Sequence, residues 1–233
     1  MQKRLDKFLC DLNIGTRSQV KTFIQKGLVT VNGEIIKKPE CKVSDTDFVC
    51  YQGQALCGEQ YAYYMLHKPA GIISATEDKF QTTVLEYFKE EPCKNLYPVG
   101  RLDKDTEGLL LITNDGELGH RLLSPRHHIP KTYYVELEHS VTESEIALLE
   151  TGVDIGEKNV TLPAKIEIID EKMLYITITE GKFHQIKRMF EAVNNKVIYL
   201  KRISMGNLAL DDSLPKGRYR RLTIEEITYL KSL

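Results

Sequence analysis

The chain has 233 residues, of which 42% are hydrophobic and 28% are charged, and its formal net charge at pH 7 is -1. These values are typical of a soluble globular protein, and no apolar run approaches the roughly 18 residues of a membrane span. The five cysteines form no Cys-x-x-Cys pair, so the sequence predicts neither a zinc site nor a disulfide framework. Because the N-terminus has no apolar signal-peptide segment, we expect a cytoplasmic protein with free thiols.

The small net charge hides two basic segments. Residues 1–43 contain nine Lys or Arg against four Asp or Glu, and residues 181–202 contain six Lys or Arg against one Glu. Local fields rather than the total charge decide whether a protein attracts nucleic acid. The distribution therefore indicates an anionic partner in spite of the near-neutral sum.

The first fifty residues have the pattern of two short helices followed by a hairpin. Apolar residues at helical spacing predict a first helix, which we expect to end in a glycine cap at Gly15. A second helix is predicted to begin at Thr16 or Arg17 and to end at Gly27. The dipeptide Asn32-Gly33 lies between two β-type runs and predicts a hairpin, with a third short strand near 48–51.

A polar stretch follows, after which strands and helices alternate to the end of the chain. Strands are predicted near 61–66, 109–112 and 133–137, a second hairpin over 166–178, and helices near 117–123 and 186–193. We therefore predict an α+β protein with a mixed, mainly antiparallel sheet flanked by helices. The expected domains are 1–57 and 61–233, joined by a linker at 58–60.

The N-terminal pattern resembles the S4 RNA-binding domain, mainly through residues 4–9, 16–18 and 29–33. Charge alone would be explained equally well by solvated helix surfaces. The resemblance implies that this module binds structured RNA through phosphate contacts, which set affinity and orientation. Its candidate RNA-binding residues are Arg4, Lys7, Arg17, Ser18, Lys21 and Asn32.

The segment 100–111 places Asp103 between Arg101 and Lys104, just before a predicted buried strand. Neighbouring positive charge favours the ionised form of a carboxyl group, which can then act as a nucleophile or base. A solvated Arg–Asp pair in a surface loop is the simpler interpretation of the segment taken alone.

Asp103-x-Asp105 also resembles the nucleophile motif of haloacid-dehalogenase-type phosphatases. Two features argue against that interpretation: Glu107 stands where that motif usually has Thr or Val, and Pro98 interrupts the preceding apolar run.

The same segment matches the signature G-R-L-D-x-x-[ST]-x-G-L of rRNA pseudouridine synthases at every defined position. Lys131-Thr132-Tyr133 and the segment 180–189 follow in the order expected for that family. Residues 65–71 resemble its "LNKP-G" element, with His67 in place of the usual Asn. Residues 124–128 are similar to those of the small-subunit (RsuA) branch, so the resemblance covers nearly the whole chain.

The resemblance implies that the protein isomerises a uridine of 16S rRNA, with uridine 516 as the family target, to pseudouridine. Asp103 would open the glycosidic bond, Tyr133 would stack on the flipped base and remove the C5 proton, and Lys187 would pair with Asp103. Lys187 stands where many relatives have Arg, so we expect a single-point contact to the carboxylate. Further candidate RNA-binding residues in this domain are Arg101, Arg126, His127, His128, Gln185 and Arg188.

Two other functions stay open at this point: a related synthase acting on a 23S rRNA uridine, and a non-catalytic rRNA-binding assembly factor. The sequence has no nucleotide-binding fingerprint and no metal-ligand cluster, so we expect neither cofactor nor metal. The expected partner is 16S rRNA or a partly assembled small ribosomal subunit, and not a membrane. We expect a monomer.

Overall fold

A computed structural model describes residues 3–12, 14–44, 47–56 and 61–233. The chain divides into two compact units, one of Met1–Ala62 with Glu90–Leu96 and one of Tyr63–Lys89 with Tyr97–Leu233. The predicted linker, 58–60, lies outside the described residues. In the described ranges, no helix combines the length and apolar character needed to cross a membrane.

The first unit packs two helices against short strands. Its helices are α1 (Leu5–Asp11) and α2 (Arg17–Gln25), and its strands are β1 (Lys3–Arg4), β2 (Val29–Val31), β3 (Glu34–Ile35), β4 (Lys42–Val43), β5 (Val49–Tyr51) and β6 (Gln54–Leu56). Strands β3-β2-β5-β6 form one antiparallel sheet, and β1 pairs with β4. Apolar residues of α1, α2, β2, β4 and β5 form the core of this unit. The expected helix–helix–hairpin order is thus confirmed.

Local backbone signals explain these boundaries, with one exception. Thr16 and Gln19 form a capping box at the start of α2, and Gly27, with φ +74°, follows its end as predicted. The prediction of a glycine cap at Gly15 is wrong, because α1 ends at Asp11 with Leu12 as its C-cap, and Gly15 is not left-handed. A Cβ on Gly15 would approach α2 side chains to 3.2–3.3 Å, so this glycine provides packing space instead.

The second unit is a mixed sheet with helices outside it. Its strands are β7 (Tyr63–Lys68), β8 (Tyr97–Pro98), β9 (Glu107–Thr113), β10 (Lys131–Leu137), β11 (Lys165–Asp170), β12 (Met173–Ile178), β13 (Val197–Met205), β14 (Leu208–Ala209) and β15 (Tyr219–Arg221). Its helices are α3 (Gly116–Leu123), α4 (Glu143–Thr151), α5 (Gln185–Ala192) and α6 (Ile224–Ser232), with 3-10 turns at Val84–Phe88 and Pro125–His127.

The main path of this sheet runs β11-β12-β10-β13-β9-β7-β15. Neighbours are antiparallel except for β9 and β13, which run parallel. Gly108 in β9 has φ +105°, and a Cβ there would overlap the backbone of Arg202 in β13, so only glycine permits this close pairing. The predicted α+β class with a mainly antiparallel mixed sheet is confirmed.

The cysteines differ in part from the prediction of free thiols. Cys10, Cys41 and Cys50 are free, whereas Cys93 is disulfide-bonded. Pairing of cysteines depends on which residues the fold brings together, and sequence spacing does not show this.

Candidate active site

A cavity of about 630 Å³ lies in the second unit. Its lining comes from the loop before β9, the start of β10, the segment from the end of β12 into α5, and β13. The lining includes Asp103, Tyr133 and Gln185 of the sequence-predicted residues, together with Arg101 at the loop before β9. Its volume lies within the range of small-molecule sites, which is about 300–1,000 Å³.

Lys68 fixes the loop that carries Asp103. The Lys68 side chain is fully buried at the end of β7, and its Nζ lies 2.9–3.3 Å from the carbonyl oxygens of Pro69, Asp103, Lys104 and Thr106. Burial lowers the pKa of Lys68 to about 8, against the opposing effect of nearby carboxylates. An ammonium group that donates to backbone carbonyls holds the loop in one conformation, whichever side chains the loop carries.

Ser74 fixes the same loop from another position. Its buried hydroxyl donates to the carbonyl oxygen of Leu102 at 2.9 Å and accepts from the Leu102 amide at 3.1 Å. The backbone just before Asp103 is thereby anchored on both its polar groups. No motif or spacing in the sequence indicates this role of Ser74.

Asp103 lies in a small cluster of charged groups. Lys187 Nζ is 3.3 Å from Asp103 Oδ2 and 2.6 Å from Asp105 Oδ1, and His184 Nε2 is 3.7 Å from Asp103 Oδ1. Among the described residues, Asp103 thus faces Lys187, which the family resemblance had named as its partner, and His184, rather than the neighbouring Arg101 and Lys104. Lys187 contacts Asp103 through one carboxylate oxygen, as expected, and it also contacts Asp105.

Lys187 lies between the carboxylates of Asp103 and Asp105. Burial raises the pKa of Asp105, but the hydrogen bond and charge of Lys187 outweigh it, and the net effect lowers the pKa. A lysine between two carboxylates is held in place by the outer one, Asp105, while it faces Asp103. The acid that suggested a phosphatase motif is therefore a partner of the lysine.

Tyr133 and two basic residues, Lys131 and Arg202, line the interior of the cavity. Tyr133 is only 7% exposed, because alternate residues of β10 face inward, as predicted. Lys131, two residues earlier, donates to the Ile129 carbonyl at 2.8 Å, and burial, with the charge of Arg202, lowers its pKa to about 8. Arg202 in β13 is 2% exposed and donates through Nε to the Leu109 carbonyl at 2.7 Å. One terminal nitrogen of its guanidinium has no partner among the described residues.

The turn before α5 forms another part of the lining. His184 has a left-handed backbone with φ 48°, and its ring stacks on that of Phe183, with centroids 3.8 Å apart. Gln185 is buried, accepts from the Lys182 amide at 2.9 Å and donates to Glu180 Oε1 at 2.8 Å. His184 and Phe183 were not among the predicted site residues, although they stand within the motif 180–189.

Comparison with known proteins agrees with this geometry. A family model described as "RNA pseudouridylate synthase" matches residues 62–192, and the S4 domain model matches residues 3–49. The chain belongs to the RNA pseudouridine synthase family. It is therefore an isomerase, which excludes both the phosphatase interpretation and a non-catalytic factor.

Individual relatives match over nearly their whole lengths. "Uncharacterized RNA pseudouridine synthase YtzG" of Bacillus subtilis is 46% identical, covering 97% of this chain and 98% of its own. "Ribosomal small subunit pseudouridine synthase A" of Haemophilus influenzae is 43% identical, covering 97% and 99%. A solved structure titled "Crystal structure of pseudouridylate synthase" is 42% identical, with a TM-score of 0.70, and covers 97% of this chain and 99% of that one.

Not all the RNA-binding residues predicted for this synthase have free side chains. Arg188 donates to Glu157 Oε1 at 2.8 Å, to the Phe183 carbonyl at 3.0 Å and to the Ile155 carbonyl. The polar atoms of Gln185 are likewise engaged within the same turn. Both residues hold the segment before α5, and their contact with RNA stays a prediction.

The predicted RNA-binding residues of the first unit also differ in whether their side chains are bonded to other residues. Lys7, Arg17, Ser18 and Lys21 are exposed, so their side chains are accessible. Arg4 is also exposed, and it forms two hydrogen bonds of 3.0 and 2.8 Å to buried Asp6, which lower the pKa of that carboxyl group.

Asn32 at the hairpin turn is similarly engaged. It donates to Asp47 at 2.9 Å and accepts from the Phe48 amide at 2.8 Å. Arg4 and Asn32 therefore also stabilise the module, and because both stay exposed, their contact with RNA stays a prediction.

The stretch that distinguished the small-subunit branch lies partly at the cavity. Ser124 belongs to the lining of the cavity. Arg126, His127 and His128 are exposed and lie outside that lining. Arg101 is exposed and lines the cavity. Arg101 and Gln185 are accordingly the predicted RNA-binding residues that line the cavity.

Proposed function

We propose that this synthase converts one uridine of small-subunit rRNA to pseudouridine with Asp103 as the nucleophile. The observation that carries the proposal is the cluster in which Lys187 and His184 face Asp103 at the cavity that Tyr133 lines. The substrate class rests on relatives named for the ribosomal small subunit. We further propose uridine 516 of 16S rRNA, in free RNA or a partly assembled subunit, as the target.

Domain organisation and cellular setting complete the proposal. The S4-like domain covers 1–57, the linker 58–60 and the catalytic domain 61–233, and the protein acts as a cytoplasmic monomer. The exposed residues Lys7, Arg17, Ser18 and Lys21 contact RNA phosphates and orient the substrate. In the catalytic domain, this contact is extended by three exposed residues in and directly after the 3-10 turn, Arg126, His127 and His128.

The chemistry requires the target base to leave its stack, because its reacting atoms are otherwise covered by neighbours. Extrusion costs about a few kcal/mol. Stacking of the uracil on Tyr133 offsets part of that cost, since a base–aromatic stack contributes about 1–3 kcal/mol. Arg101, exposed at the cavity, binds a phosphate next to the extruded nucleotide.

Bond exchange then follows within the cavity. Asp103 attacks C1′, or assists elimination at the sugar, and the bond from C1′ to N1 breaks with its electron pair leaving on the uracil. The uracil rotates, and its C5 forms the new bond to C1′ as Asp103 is released. Tyr133 accepts the proton from C5, directly or through a water molecule, and N1 gains a proton, so the product is an isomer.

Positive charge in the interior supports this sequence of steps. The uracil carries negative charge while it is detached, and groups already aimed at developing charge lower a barrier most effectively. Lys131 and Arg202 line the cavity in which that charge develops. Lys187 pairs with the Asp103 carboxylate, with Nζ 3.3 Å from Oδ2.

Tritium release from 16S rRNA labelled at uracil C5 tests the proposal. Asp103→Asn should reduce release by at least about a thousandfold, because the amide cannot act as the nucleophile. Asp212→Asn, at an exposed carboxyl group away from the cavity, is the matched control and should retain wild-type release. Full activity of Asp103→Asn would exclude the nucleophile role. Modification of 23S rRNA alone would exclude the substrate.

A further inference from the structure

Phe183 is an exposed aromatic residue at the rim of the cavity. Its side chain is 68% exposed although one face of the ring stacks on His184, at 3.8 Å between centroids and 18° between planes. The opposite face is therefore open to solvent. Tyr133, also in the lining, is 7% exposed, so the two aromatic side chains lie at different depths.

The backbone around Phe183 is fixed although its ring is exposed. Arg188 donates to the Phe183 carbonyl oxygen at 3.0 Å, and it is held in turn by Glu157. Gln185, which is buried, bonds the Lys182 amide on one side and Glu180 on the other. The exposed face of this ring contributes nothing to the free energy of folding, because it is not removed from water.

The backbone conformation at this turn determines where the His184 ring lies. His184 adopts a left-handed φ of 48°. This conformation brings its imidazole against Phe183 on one side and 3.7 Å from Asp103 on the other. The stack thus extends from the proposed nucleophile to the solvent.

We propose that the open face of Phe183 stacks on an unpaired nucleobase adjacent to the target uridine, forming a second base-binding position outside the Tyr133 pocket. The proposal rests on the proposed function, because it requires an RNA whose target base enters the cavity. All four bases present a π-face, so this position should tolerate any neighbouring base. Arg101, exposed in the lining, supplies positive charge for the RNA backbone there.

The absence of tryptophan from the sequence provides a direct test. Phe183→Trp introduces a single tryptophan at the proposed stacking position, and Phe80→Trp introduces one at a 95% exposed residue outside the lining. On addition of a 16S rRNA transcript, the emission of the Phe183→Trp protein should fall by about twofold or more, because a stacked base quenches the indole. The Phe80→Trp emission should change little.

Kinetics on the same transcript test the contribution of the π-face. Phe183→Leu keeps an apolar side chain but removes the ring, and should raise KM by about 5- to 100-fold with a smaller change in kcat. Phe183→Tyr should retain the wild-type KM, and Phe80→Leu is the matched control. A KM for Phe183→Leu equal to that of the wild type would overturn the proposal.

The two proposals fail separately in these measurements. If the wild type releases tritium from the transcript while the Phe183→Trp emission responds no more than that of Phe80→Trp, the stacking proposal is overturned and the proposed function stands. If the Phe183→Trp emission is quenched but no tritium is released, the base-binding position stands and the proposed substrate is wrong. Quenching by a ribosomal protein instead of the transcript would also overturn the stacking proposal.

Discussion

The chain carries positive charge in two contrasting settings. In the first unit, Arg17 and Lys21 are exposed on helix α2. In the second, Lys68 and Arg202 are buried and Lys131 lies partly buried at the cavity. Exposed charges stay hydrated and are screened by salt, so each contributes little and several must act together. A buried charge must be matched by hydrogen bonds or by substrate, so one residue can determine the activity.

Among the basic residues, the largest effect is expected at Lys68. Lys68→Met removes the donor to three carbonyl oxygens of the loop that carries Asp103 and to that of Pro69, and unsatisfied buried acceptors are costly. We expect the free energy of unfolding to fall by about 3 kcal/mol and tritium release to fall about a hundredfold or more. Chemical denaturation and the release assay measure the two effects.

Lys79→Met, at an exposed lysine, is the control for Lys68→Met and should change neither quantity. Denaturation also separates the two consequences, because activity can be assayed where the variant is still folded. Normal activity of folded Lys68→Met protein would show that the loop keeps its conformation without the ammonium group. A single buried basic residue would then matter no more for activity than an exposed one.

Lys131 should have an intermediate effect that depends on pH. Its pKa is about 8 in the folded protein against an ordinary value of 10.5, so the unfolded chain binds the proton more tightly. Stability contributed by this residue therefore rises with pH between about 8 and 10.5. Lys131→Met removes that dependence, and its stability relative to the wild type should decrease as the pH rises from 7 to 10.

Denaturation curves at pH 7 and pH 10 measure this difference. Lys68 titrates in the same range, so the wild-type and Lys131→Met curves share its contribution, and it cancels in their comparison. A difference in stability that stays constant with pH would mean that Lys131 has an ordinary pKa. Loss of release activity in stable Lys131→Met protein would support a role for its charge in the chemistry.

The smallest effects belong to the exposed helix residues. Arg17→Gln and Lys21→Gln should each weaken binding of 16S rRNA about two- to fivefold and reduce the slope of log affinity against log salt by about one. Titrations at several salt concentrations measure both quantities, with Lys158→Gln in the second unit as control. An equal loss for the control would show that these contacts are not specific to the S4-like module.

Much of the fold was readable in the sequence because its local signals are strong. The Asn32-Gly33 turn, with φ of 51° and 87°, and the alternating burial of β10 follow from turn chemistry and from the two-residue period of strands. Gly15 shows the limit of such signals. A glycine after a helix can serve as a cap or as packing space, and only the neighbouring helix decides between them.

Assignment of individual side chains was less complete. Arg4, Asn32, Gln185 and Arg188 are polar residues in basic segments, so the sequence could not distinguish a solvent-facing side chain from one that is engaged internally. Phe183 and His184 were missed for the opposite reason. An aromatic residue beside a helix is usually predicted to be core, and only the left-handed turn brings these rings to the surface of the cavity.

By itself, the sequence determined the family, the order of the two modules and the identity of the residues in the Gly100–Leu111 motif, because these depend on residue types at fixed spacing. Only the tertiary structure decided which charges meet. Lys187 reaches Asp103 across 84 positions of sequence, and Lys68 reaches its loop from β7, because the sheet brings the ends of separate strands together. Such contacts depend on distances in space, which residue spacing along the chain does not encode.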